Sequence, residues 1–136
     1  MTKQIWINLP VKNLAKSKAF FTHIGFTFSE GAGNTEHSAC MLIGDKQVVV
    51  MLFTEPMFER FVSHSITDTQ ASNEVLFSID SESREEVDAL ALKIIEAGGE
   101  IFSKPAENQG WMYGCGFKDL DGHRWNILYI DTSEMR

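Results

Sequence analysis

The sequence carries one plan twice. Residues 5–11 alternate, with Ile5, Ile7 and Leu9 on one face and Trp6, Asn8 and Pro10 on the other, which predicts a strand. Asn13 follows as a helix N-cap, Leu14, Ser17, Phe20, Phe21 and Ile24 recur at helical spacing, and Gly25 stops the helix. Residues 26–29 predict a short strand and 30–38 a polar loop. Residues 39–43 and 47–53 then predict a hairpin around Gly44-Asp45-Lys46.

The same order returns downstream. Residues 74–79 alternate, and Ser83 with Glu86 forms a capping-box pattern before Val87, Leu90, Ile94 and Ala97. Gly98-Gly99 ends that helix, residues 100–103 predict a strand, and 103–114 a loop. Residues 114–118 and 124–130 predict a hairpin around Asp121-Gly122. A shift of 68 residues carries Trp6 onto Glu74 and Val11 onto Ile79, while a shift of 75 carries Cys40 onto Cys115 and Met51 onto Asn126. The expectation is an α+β fold of two tandem βαβββ modules, about 1–55 and 73–132, forming a curved mixed sheet around a cleft. Modules of roughly 60 residues are too thin to bury a sheet alone, so 1–136 is taken as one domain. In the join, residues 56–72, Pro56 begins one helical turn carrying Met57, Phe58 and Phe61, which either caps the core or forms a lid or dimer contact.

Composition removes several partners. Twelve Lys and Arg against 19 Asp and Glu give a net charge of −7, opposite to the basic surface that nucleic acid or an anionic membrane requires. The longest apolar run, residues 48–53, is too short to span a bilayer. The first residues carry no signal-peptide apolar stretch, and two cysteines do not make a disulfide scaffold, so a reducing cytoplasm is expected. No phosphate-binding glycine loop, Ser/His/Asp pattern or CxxC is present. Of the four histidines, His23, His37, His64 and His123, none pairs at ligand spacing, and each is assigned to the surface.

With the repeat in place, the sequence resembles the glyoxalase/bleomycin-resistance/extradiol-dioxygenase (vicinal oxygen chelate) superfamily, in particular its predicted lactoylglutathione lyase-like bacterial branch. The resemblance runs through Ile7-Asn8-Leu9-Pro10-Val11-Lys12-Asn13-Leu14, Ser17-Lys18-Ala19-Phe20-Phe21 and Ile24-Gly25-Phe26. It continues through Ser83-Arg84-Glu85-Glu86-Val87, Gly110-Trp111-Met112-Tyr113-Gly114 and Asp119-Leu120-Asp121-Gly122-His123-Arg124-Trp125. It implies a homodimer, with each cleft often built from both chains, and four cleft positions on the first and last strands of each module. Here those positions fall on Trp6, Met51, Glu74 and Asn126. Strand alternation agrees, because all four lie opposite the apolar faces.

As a metal site the set is poor, because Trp6 has only an N–H, Met51 a thioether and Asn126 a neutral oxygen. Glu74 alone is a strong ligand. No cofactor is therefore expected, a weakly held divalent ion at Glu74 is left open, and metal-dependent glyoxalase I activity is not expected. The candidate ligand-binding residues are Trp6, Asn8, Met51, Glu74, Trp111, Tyr113, Arg124 and Asn126, with Glu74 also the candidate general base. Trp111 and Tyr113 sit on a glycine-flanked loop suited to a lid, and Tyr113 is expected to donate a hydrogen bond inside the cleft. Three function classes remain: sequestration of a small aromatic or cationic molecule, a lyase or isomerase using Glu74, or a dimerisation scaffold.

Overall fold

In the computed structural model, which describes residues 1–133, the first strand of each half lies beside the last one, parallel to it. Two parallel strands cannot be joined by a tight turn, and in each half the chain between them includes a helix and two further strands. The chain divides into two compact units, Met1–Thr67 and the part from Asp68 onward. The join assigned from sequence is thus split, its short helix staying with the first unit.

The first unit contains β1 (Ile7–Val11), α1 (Leu14–His23), β2 (Thr27–Phe28), β3 (Ser38–Ile43), β4 (Val48–Thr54) and α2 (Glu55–Val62). Its mixed sheet has the order β1-β4-β3-β2. Asn13 caps α1 as expected, its side-chain oxygen accepting from the Lys16 amide at 3.0 Å. Phe20 and Phe21 bury on Leu9, Val11, Met41, Val50 and Leu52 as one core. Gly25, at φ +107°, turns the chain out of the helix. α2 runs for eight residues rather than one turn, and Phe61 meets Phe53 edge-on with ring centres 5.0 Å apart.

The second unit contains β5 (Leu76–Asp80), α3 (Arg84–Glu96), β6 (Glu100–Asn108), β7 (Met112–Lys118) and β8 (Arg124–Ile130), with the sheet order β5-β8-β7-β6. Ser83 caps α3 through the Glu86 amide at 3.0 Å. Val87, Ala91 and Ile94 bury against Phe117, Trp125 and Ile127, and the Phe117 and Trp125 rings stack at 6.0 Å.

Matching topology lets the repeat offset be read from pairing. Asn8 pairs with Met51 and Ser78 with Asn126, and the two caps are Asn13 and Ser83. These fix the first-strand offset at 70 residues, not 68, so Leu76 takes the place of Trp6 and Glu74 lies two residues further out. Alternation repeats every two residues and cannot distinguish offsets of 68 and 70. The cysteines are not equivalent either. Cys40 pairs with Met51, whereas Cys115 pairs with buried Ile127, so the equivalent of Cys40 is Gly116.

The expected loop over residues 103–114 is largely strand. β6 continues to Asn108 through two register shifts, the second of which spans Pro105. β6 is an edge strand, where a missing N–H is tolerated.

A buried carboxylate fastens the β7–β8 connection. Asp119 accepts from the Asp121 and His123 amides, both at 3.0 Å, and from the Trp125 indole N–H at 3.1 Å. Burial pushes its carboxyl up, while His123, Trp125 and the Asp121 amide hold it down. His123 was assigned to the surface from sequence, but it is buried in this turn. Replacing Asp119 with Ala takes a charged acceptor from three buried or half-buried donors and is expected to cost about 3 kcal/mol in urea unfolding. A loss below about 0.5 kcal/mol would contradict this role for the turn.

Candidate functional site

Alternation gives each sheet a helix-covered face and an open face. In the second unit, Phe77, Trp125, Ile127, Cys115 and Phe117 face α3, leaving Leu76, Ser78, Arg124, Asn126, Gly114 and Gly116 on the other side. The two glycines keep that floor low. A Cβ at Gly114 would lie 2.5 Å from the Ile127 carbonyl oxygen, and one at Gly116 would lie 2.5 Å from the Phe102 ring. Phe102 therefore lies over Gly116 in the space of its missing side chain.

Arg124 lies against the same ring, its guanidinium carbon 4.4 Å from the ring centre. Its Nε donates to Asn73 Oδ1 at 3.1 Å, and Asn73 Nδ2 donates to the Gly122 carbonyl at 3.0 Å. Thr69 also donates to the Asp121 carbonyl, so the segment before β5 is fastened to the turn held by Asp119. Beside Arg124 in the sheet, Lys118 pairs with Glu100 at 2.7 Å. That hydrogen bond and the ammonium charge hold the Glu100 carboxyl below its ordinary range.

A cavity of about 250 Å³ opens among Asn73, Glu74, Leu76, Phe102, Arg124 and Asn126. A second, about 260 Å³, lies along Ser103, Lys104, Glu107, Met112 and Gly114 and also reaches Asn126. Asn126 lines both.

Three of the residues expected from sequence, Glu74, Arg124 and Asn126, thus line one cavity. Glu74 is exposed and lies just before β5 rather than within it. Trp6 precedes β1 and is 56% exposed, and Asn8 is exposed on β1 opposite Met51. Met51 is half-buried on the first unit's open face. The loop before β3 crosses it so closely that a Cβ on Gly33 would lie 3.5 Å from its methyl carbon. Trp111 is half-buried in the β6–β7 turn, its carbonyl accepting from the Asp131 amide at 2.7 Å. Tyr113 departs from the expectation. It pairs with Tyr129 on the helix side, and its hydroxyl donates to Asp88 of α3 at 2.6 Å. That hydrogen bond raises the phenol pKa. Sequence reasoning missed Asn73 and Phe102, because both meet Arg124 through the tertiary fold and neither lies in a motif.

The model of the Glyoxalase/Bleomycin resistance protein/Dioxygenase superfamily matches residues 3–127. The chain belongs to this superfamily. A solved structure of hypothetical protein SA1046 from S. aureus is 36% identical over 95% of both chains, with a TM-score of 0.85. A glyoxalase/bleomycin resistance protein/dioxygenase family enzyme from Burkholderia phytofirmans PsJN shares the fold at 18% identity and a TM-score of 0.79, over 92% of this chain and 96% of that one. So does the fosfomycin resistance protein FosX from Listeria monocytogenes, at 20% identity and a TM-score of 0.70, over 100% and 99%. A further FosX structure, complexed with Mn(II) and sulfate, matches at 19% identity and 0.69, over 98% and 94%. No curated protein matches the sequence.

Within the superfamily fold, the donors of this chain do not suit a tightly held divalent ion. Among the described residues no three His, Cys, Asp or Glu side chains stand together. The second unit's cavity offers one carboxylate and two neutral amides beside a fixed guanidinium, which repels a cation.

The helix-covered face also holds a thiol, Cys115. Burial pushes the Cys115 thiol up to about 11, so little thiolate exists near neutrality. In native protein at pH 8, Cys115 is expected to escape iodoacetamide and to react once the chain is unfolded in guanidinium, as read by peptide mass spectrometry. Rapid native labelling would contradict its placement under α3.

Proposed function

We propose that the chain is a small-molecule-binding member of its superfamily that sequesters its ligand without a catalytic divalent metal. The observation carrying this reading is the cavity on the open face of the second sheet. Its polar groups, Asn73, Glu74, Arg124 and Asn126, stand beside Val75, Leu76 and Phe102. Small-molecule sites have this makeup, with apolar walls and a few placed polar groups. Relatives with this fold are named for resistance to bleomycin and fosfomycin, both small molecules.

A second copy of the chain is the proposed partner. Trp6, Leu76 and Phe61 are 56%, 52% and 62% exposed, apolar side chains that a second copy would cover. In this reading Trp6, Asn8, Met51 and Trp111 contribute further ligand contacts, residues 1–136 act as one domain, and the two free cysteines suit the cytoplasm. No helix is long and apolar enough to cross a membrane among the described residues.

The second reading is a lyase or isomerase in which Glu74 acts as general base or sole strong metal ligand. It is favoured by one observation, that Glu74 lines the same cavity as Arg124.

A thermal-shift screen of small molecules in EDTA separates the two. Binding predicts stabilising compounds that need no metal and that Glu74→Gln still binds, with no turnover of the methylglyoxal–glutathione hemithioacetal in Ni²⁺, Zn²⁺ or Mn²⁺. Metal-dependent turnover abolished by Glu74→Gln would overturn it in favour of the enzyme.

A further inference from the structure

Arg124 is more constrained than a surface arginine. Phe102 covers one face of its guanidinium at 4.4 Å, and Asn73 takes its Nε–H at 3.1 Å. Asn73 is itself fixed to the Gly122 carbonyl, in a turn where a Cβ on Gly122 would lie 2.7 Å from the Thr69 carbonyl oxygen. Among the described residues no acid lies at ion-pair distance from Arg124, and the neighbouring Glu100 pairs with Lys118, the Arg124 charge adding only a weaker pull on it. A guanidinium with its stem and one nitrogen held keeps two terminal NH₂ groups for a planar anion at little entropic cost.

Charge and shape narrow the ligand. Glu74 lines the same cavity and repels negative charge there, so the one charge that Arg124 takes is offset and a second would not be. Val75 and Leu76, half-exposed at the cavity wall, offer an apolar surface to the rest of the molecule. We infer that the cavity is a receptor for a small monocarboxylate with an apolar body, the carboxylate taken by the terminal nitrogens of Arg124. This rests on the binding reading above and names its ligand class. Asn73 and Phe102 act as positioning residues.

The test measures benzoate binding by calorimetry at pH 7.5 and low salt, with benzamide, benzylamine and phenylphosphonate as matched bodies bearing other head groups. Benzoate is expected to bind, with benzamide and benzylamine weaker by about tenfold or more. Phenylphosphonate, largely dianionic, should bind less tightly than benzoate. Arg124→Gln should lose about tenfold or more for benzoate while leaving benzamide unchanged, and Arg124→Lys should recover part of that loss. Phe102→Leu, which keeps an apolar residue at the edge, should weaken benzoate several-fold and shrink its preference over benzamide. Urea midpoints confirm that each variant folds.

Benzamide matching benzoate, Arg124→Gln binding benzoate normally, or phenylphosphonate binding more tightly would each overturn the carboxylate assignment. Absence of benzoate binding would overturn it too. Metal-free hits lacking a carboxylate in the broad screen would then still uphold the binding reading.

Discussion

Both units depend on one pairing that chain neighbours cannot make, the parallel contact of first strand with last: β1 on β4 and β5 on β8. It requires a long connection, which in each unit includes a helix, and the helix covers one face of the sheet. Every strand residue then has one of two fates. In the second unit Trp125 and Ile127 go under α3, while Arg124 and Asn126 stay on the open side. Site chemistry is thus a by-product of a packing rule, since residues excluded from the core by alternation are those available to a ligand.

A chain of hydrogen bonds joins the buried turn to the cavity. Asp119 gathers the Asp121, His123 and Trp125 donors, the turn offers its Gly122 carbonyl to Asn73, and Asn73 holds Arg124. Phe102 completes the support from the edge strand, lying on a glycine where any side chain would collide with it. The arginine is positioned by groups whose own positions are over-determined, which favours recognition over mere surface charge. A cation so placed is also hard to reconcile with a divalent metal in the same cavity.

Much of this was legible in the residues. Asn13 and Ser83 are short polar side chains just ahead of apolar helical periods, and both cap. Asp121-Gly122 makes the expected turn, with Gly122 at φ +87°. The α+β class and the open-face placement of Arg124 and Asn126 followed from alternation. What failed did so for identifiable reasons. Alternation has period two, so the repeat was set two residues off and Glu74 was matched to Trp6. Pro105 suggested a loop because an edge position cannot be seen in sequence. Tyr113 was drawn toward a lid by its glycine neighbours, although strand parity beyond Gly114 turns it toward Asp88. The contact of Phe102 with Arg124 spans the hairpin and leaves no local signal.

The central claim is that ligand binds on the open face of the second sheet, against Arg124. Its most direct measurement is a two-dimensional NMR titration of the isotope-labelled chain with benzoate, following backbone amides and the Arg124 Nε–Hε signal. The account predicts perturbations at Asn73, Leu76, Gly116 and Asn126 together with the Arg124 side-chain signal, and little change along α3. Saturable shifts confined to α3 or to the first unit, with the Arg124 signal unmoved, would contradict it.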